Sequence, residues 1–220
     1  VNPATHIVYV TNKNSNDLSI INPATGGVTR VPVVSQPWGL AVHPAFNYVY
    51  VANFGDNSVS VVNGATGQVI QTTGGVPQAA FVAVDAANDR VYVTSVGQGL
   101  YLLYAATGGM EAGPINTGAG SRGVAVHPAT GRAYIVNNDV GDPRLYLREP
   151  TGAQTQKTLP APPVNIAINP TTNHIFITLV TPGGDMSVLV LDADANQIAL
   201  LPIGAESVSE GGQGVAVDSV

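Results

Sequence analysis

Val8-Tyr9-Val10-Thr11-Asn12 returns as Val49-Tyr50-Val51-Ala52-Asn53, as Val91-Tyr92-Val93-Thr94-Ser95, as Ala133-Tyr134-Ile135-Val136-Asn137 and as Ile175-Phe176-Ile177-Thr178-Leu179. The aromatic positions 9, 50, 92, 134 and 176 stand 41, 42, 42 and 42 residues apart. A second marker keeps phase with the first: Leu40-Ala41-Val42-His43-Pro44, Val82-Ala83-Val84-Asp85, Val124-Ala125-Val126-His127-Pro128, Ile166-Ala167-Ile168-Asn169-Pro170 and Val215-Ala216-Val217-Asp218. Its polar positions 43, 85, 127, 169 and 218 step by 42, 42, 42 and 49. Two registers in phase define an internal repeat, and a repeat of this length is one supersecondary unit that buries its faces only against its neighbours.

Each unit carries four strand candidates. The inner one is short and apolar (Gly39-Leu40-Ala41-Val42), and the second holds the aromatic. The third is Leu18-Ser19-Ile20-Ile21, Val59-Ser60-Val61-Val62, Leu100-Tyr101-Leu102-Leu103, Leu145-Tyr146-Leu147 or Val188-Leu189-Val190-Leu191, and the fourth is Val28-Thr29-Arg30-Val31, Val69-Ile70-Gln71-Thr72 and their counterparts. Third and fourth are joined through Thr25-Gly26, Thr66-Gly67, Thr107-Gly108 and Thr151-Gly152, where glycine supplies the positive φ of a hairpin turn. The fifth repeat has Ala195-Asn196, and asparagine is expected to take that conformation. Four antiparallel strands every forty-odd residues are the pattern of a β-propeller blade.

The stretch Val-Tyr-Val-Thr-Asn at 8–12 resembles the signature of the YVTN family of propeller repeats, and the resemblance runs through essentially the whole chain. It implies an all-β propeller and kinship with propeller domains of periplasmic oxidoreductases and with lactonase-like enzymes. It does not by itself assign a task, because propellers host binders, lyases, hydrolases and scaffolds alike. The repeats fall at about 1–37, 38–79, 80–121, 122–163 and 164–212 of a single domain, 1–220. Val1 aligns with the end of an inner strand, and 213–220 reads as one surplus inner strand. The expectation is five blades, closed by that C-terminal strand on the first; the alternative is a five-repeat fragment of a six- or seven-bladed ring.

Composition agrees. Of 220 residues, 45% are apolar and 10% charged, with 25 Gly and 16 Pro, which suits many short strands and turns and not a helical bundle. Eight Lys and Arg, none in a run, against a net charge of −6 argue against phosphate-backbone binding, so no nucleic-acid partner is expected. No cysteine exists for a disulfide or a thiolate site, and no apolar run is long enough to span a bilayer. Few charges among many Thr, Asn, Gln and Gly point to an exported protein: periplasmic, cell-surface or extracellular.

Propeller ligands meet the face where the loop entering each inner strand lies beside the loop leaving each second strand. Aligned repeats place Trp38, Ala80, Arg122, Val164 and Gln213 before the inner strands, and Asn12, Asn53, Ser95, Asn137 and Leu179 at the ends of the second strands. Neither ring contains a carboxylate or a histidine, so a metal-activated water of the lactonase type is disfavoured and no cofactor or metal is expected. Trp38 and Arg122 are the two large residues: an indole stacks on a ligand and a guanidinium grips an anion. The competing account makes Trp38 a plug and pairs Arg122 with Asp139 or Asp142. His43, Asp85, His127, Asn169 and Asp218 share one repeat position and are read as turn initiators. Asp17, Asp56, Asp142 and Asp185 are read the same way, while Asp192 and Asp194 are the least implausible cation pair. The 49-residue step places an acidic glycine-rich insertion at 204–212.

The leading expectation is a non-catalytic binding or scaffold module whose loop face, through Trp38, Arg122, Asn53, Asn137 and Gln213, takes a protein or a small polar or saccharide ligand. The alternatives are a propeller domain or subunit of a periplasmic enzyme, oxidoreductase-associated or lactonase-like, and a purely structural unit of a multidomain surface protein or filament.

Overall fold

The computed structural model describes residues 1–139, 141–181, 183–205 and 215–217. The described residues form strands and no helix. They divide into two compact units, Val1–Asn116 and Thr117–Val220.

The first unit holds three antiparallel sheets. Strands β1 (Val8–Asn12), β2 (Asp17–Asn22) and β3 (Gly27–Pro32) make a three-stranded sheet in chain order. Strands β4 (Pro37–His43), β5 (Tyr48–Asn53), β6 (Ser58–Asn63) and β7 (Val69–Gly74) make a four-stranded meander. A second such meander joins β8 (Ala79–Asp85), β9 (Arg90–Ser95), β10 (Gly99–Tyr104) and β11 (Met110–Ile115). In the second unit β12 (Ser121–Val126), β13 (Ala133–Asn137), β14 (Arg144–Arg148) and β15 (Gln154–Thr158) form one sheet. The other consists of β16 (Pro163–Asn169), β17 (His174–Val180), β18 (Asp185–Leu191) and β19 (Gln197–Ala205). Five meanders in chain order are the blades of an all-β propeller fold, as the repeat predicts. The closing strand expected at 213–220 lies largely outside the described residues; Val215–Val217 are described and belong to no strand. Most of the 204–212 insertion lies outside them too.

The middle strands are apolar on both faces because both are covered. Tyr50, Ala52, Val59 and Val61 of one sheet pack with Val82, Val91, Val93 and Leu103 of the next, forming the main core of the first unit. Tyr134, Val136, Leu145 and Leu147 meet Ile166, Ile175, Ile177 and Leu189 in the second. Each fully buried aliphatic side chain contributes roughly 1.5–3 kcal/mol. The outer strand β7, Val-Ile-Gln-Thr-Thr-Gly, is exposed along most of its length, Val69 and Ile70 included.

The repeat tyrosine ties neighbouring sheets within each unit. Tyr9 Oη donates to Gly64 O at 3.3 Å, Tyr50 Oη to Ala105 O, and Tyr134 Oη to Ala193 O at 2.8 Å, so each reaches the turn between third and fourth strands of the following blade. Those turns take positive φ at Gly26 (71°), Gly67 (72°), Gly108 (72°) and Gly152 (96°). The fifth differs from expectation: Ala195 carries the positive φ (60°), not Asn196. That turn is held by Asp192, whose Oδ1 accepts from the backbone N–H of Asp194 (3.0 Å) and Asn196 (2.8 Å). These bonds favour the carboxylate and lower its pKa.

Candidate functional site

The ends of the inner strands that lead in from the fourth-strand loops are irregular in every four-stranded sheet. Pairing slips between Pro37 and Leu40, Ala79 and Val82, Ser121 and Val124, and Pro163 and Asn165. A bulge leaves residues out of the ladder and re-aims their side chains. The threonine of the repeat braces it. Thr11 Oγ1 donates to Trp38 O at 2.6 Å, Thr94 Oγ1 accepts from Phe81 N at 3.2 Å, and Thr178 Oγ1 accepts from Asn165 N at 3.1 Å.

In the first unit the bulges gather an aromatic cluster. The Trp38 ring lies 4.8 Å from Phe54 and 6.3 Å from Phe81, tilted by 56° and 44°, and all three residues are half-buried. Lys13 Nζ sits 4.7 Å above the indole centroid, a cation–π contact. Beside it Asn12, Lys13, Asn14 and Ser15 line an open cleft of about 540 Å³, within the range small ligands use. Gly39 makes the arrangement possible: a Cβ there would stand 2.5 Å from Ala80 O and 2.9 Å from Phe81 Cα.

The asparagines that end the second strands clamp the third. Asn12 Nδ2 donates to Asp17 Oδ1 (2.5 Å) and Ser19 Oγ (2.8 Å), and Asn53 Nδ2 donates to Ser58 Oγ (3.2 Å) and Ser60 Oγ (2.9 Å), at equivalent register positions. Asn53 is fully buried, and its Oδ1 has no partner among the described residues. Its register partner is Pro37, next to Trp38, and Phe54 follows it in the chain.

Trp38 and Asn53 are thus brought together in the first unit. Arg122 and Asn137 belong to the second. Arg122 is half-buried at its own bulge and makes no ion pair among the described residues; Asp142 is taken instead by Arg144 at 2.8 Å. Asn137 is buried, with Nδ2 donating to Thr117 O (2.6 Å) and Oδ1 accepting from Asp139 N (2.7 Å). Gln213 lies outside the described residues. Sequence alignment missed Phe54, Phe81 and Lys13. Phe81 shares a repeat position with Gly39, Gly123 and Asn165, and Lys13 and Phe54 share the one after the terminal asparagine. An aromatic breaking a small or polar column was the available signal.

The other clusters resolve into local chemistry. His43 Nδ1 accepts from Phe46 N (3.2 Å), Asp85 Oδ1 from Asn88 N (3.2 Å), His127 Nδ1 from Ala129 N (3.3 Å) and Asn169 Oδ1 from Thr171 N (2.9 Å), so this column initiates turns. Asp218 falls outside the described residues. Asp194 pairs with Arg132 at 3.0 Å. No three His, Asp or Glu among the described residues come together as a metal group.

No family model matches the chain, and no curated protein sequence does. Solved structures do, at low identity. Kuenenia stuttgartiensis hydrazine synthase superimposes over 92% of this chain and 64% of its own, with 18% identity and a TM-score of 0.82. Streptogramin B lyase does so over 94% and 68%, with 14% identity and a TM-score of 0.75. A chain of a nidogen/laminin complex covers 89% and is itself covered to 92%, with 11% identity and a TM-score of 0.67. The chain thus spans just under two thirds of the hydrazine synthase chain, and the likeness to all three is one of fold, a propeller.

Proposed function

We propose that this chain, built of YVTN-type repeats, is a non-catalytic binding module of an exported or cell-surface protein. It takes its ligand, a protein or a polar saccharide, at the loop ends of the first unit. The observation that carries this is the half-exposed Trp38–Phe54–Phe81 cluster beside an open cleft. Aromatic surface left open at the end of otherwise well-packed sheets is the usual make-up of a binding anchor. Arg122, in the second unit, is a separate contact to be tested alone. The test is retention on a panel of immobilised polysaccharides and peptides. Trp38→Ala is expected to weaken binding at least about tenfold, equivalent to about 1.4 kcal/mol, with the melting temperature nearly unchanged. Wild-type binding by a destabilised Trp38→Ala protein would make Trp38 a plug.

A second reading makes the chain a propeller portion of a larger enzyme. It is favoured by the superposition on only part of hydrazine synthase. Turnover by the full-length protein together with a bound metal or chromophore would support it.

A further inference from the structure

The binding role proposed for the Trp38 cluster extends to a ligand class, and the extension rests on that role. Lys13 is the key residue. Of the eight Lys and Arg in the chain, Arg30, Arg90, Arg132 and Arg144 pair with carboxylates, while Arg148 and Lys157 donate to carbonyls. Lys13, like Arg122 in the second unit, has no carboxylate partner among the described residues, although the chain carries a net charge of −6, and Lys13 is the one that stands over the aromatic cluster. Its ammonium rests on the indole face, a contact that leaves it free to meet an anion.

We propose that the site binds an acidic saccharide, one carboxylate-bearing sugar engaging Lys13 while an adjoining ring stacks on Trp38. Three features select this chemistry. The half-buried indole flanked by two phenyl rings suits the C–H face of a pyranose, which is apolar but needs no deep pocket. The rest of the cleft lining is neutral: Asn14 and Ser15 are exposed amide and hydroxyl, able to donate and accept as sugar hydroxyls require, while the Asn12 amide already donates to Asp17 and Ser19. A single cation beside a stacking surface matches one carboxylate on a sugar ring whose neighbour stacks, so the ring face and not the charge alone sets the preference over an acidic peptide.

Trp38 is the only tryptophan, so its emission reports this site alone. The whole chain is titrated with a trimer of galacturonic acid, with its neutral methyl ester and with tri-glutamate, and calorimetry checks each binding curve. The acid trimer is expected to shift the emission saturably, the ester to bind about tenfold more weakly, and tri-glutamate to leave the signal unchanged. Lys13→Met should lower affinity for the acid to that for the ester without altering the melting temperature, because Lys13 is exposed. Equal affinity for acid and ester, or an unaffected Lys13→Met protein, overturns the proposal. Tri-glutamate binding as tightly as the sugar acid overturns it in favour of an acidic peptide. If no saccharide binds while another ligand from the panel still depends on Trp38, the ligand class is wrong and the binding role stands.

Discussion

Tyr50 illustrates how one side chain serves two kinds of interaction. Its ring is fully buried between two sheets, and its hydroxyl donates to Ala105 O in the next turn. Burial raises the phenol pKa, as it does for Tyr9 and Tyr134, so these hydroxyls stay protonated donors well into alkaline solution. Phe176 stands at the same repeat position without a hydroxyl and is half-buried. Tyr50→Phe is therefore expected to cost about 1 kcal/mol, and Tyr50→Ala about 3–5 by opening a cavity, measured by urea unfolding. Equal costs would contradict the packing role. His43 supplies a pH test. Its ring stacks on Phe46 at 4.0 Å, Nδ1 accepts a backbone bond and Nε2 is buried without a partner among the described residues. Burial lowers its pKa, although the charge of Asp89 opposes the effect. The unfolded chain then takes up protons first, so the stabilisation from neutral His43 is complete above about pH 6.5 and is lost as pH falls towards the lowered value. His43→Asn keeps the turn acceptor that Asn169 provides in the fifth repeat. Melting curves should show the wild type losing stability relative to this variant as the solution is acidified below pH 6.5.

At the scale of the strand, the bulge opening β4 decides where Trp38 points, and Gly39 decides how near β8 approaches. Gly39→Ala would place a methyl group 2.5 Å from a backbone oxygen, and neither strand can yield as a flexible side chain would. The expected cost is about 1–3 kcal/mol with altered Trp38 emission, since the indole is the neighbouring residue. Unchanged emission and melting would mean that the two inner strands are not in close contact there. Gly67, at φ 72° with Val31 Cγ2 3.0 Å from a Cβ, makes a turn-level comparison. Gly67→Ala should cost about 1–2 kcal/mol from the left-handed backbone alone, with the emission of Trp38 unaffected.

Over the whole molecule, charge controls behaviour in solution more than stability. With a net charge of −6 and a pI near 4.9, the protein is expected to be least soluble close to pH 5, which turbidity against pH would reveal. Its few cations are mostly spent on internal partners, so duplex DNA at about 50 mM salt should give no measurable binding in a gel-shift assay. A salt-sensitive complex with DNA would disprove that.

Periodicity alone determined the blades. Apolar runs such as Val49-Tyr50-Val51-Ala52 at a constant spacing admit only stacked sheets buried on both faces, and Thr-Gly pairs can be read as turns because positive φ is a local property of the backbone. Local bonding by His43, Asp85 and Asn169 was legible for the same reason: donor and acceptor lie within a few residues. Trp38 could be placed at the loop ends, but its companions could not. A bulge adds a residue to one strand without changing the repeat length, so alignment preserves position while losing the direction of the side chain. Ala80, Phe81 and Lys13 occupy ordinary repeat positions in the sequence. Only the close approach permitted at Gly39, the turn that follows Asn53 and the reach of Lys13 across to the indole assembled them around Trp38, through contacts between residues 16 to 43 positions apart in the chain.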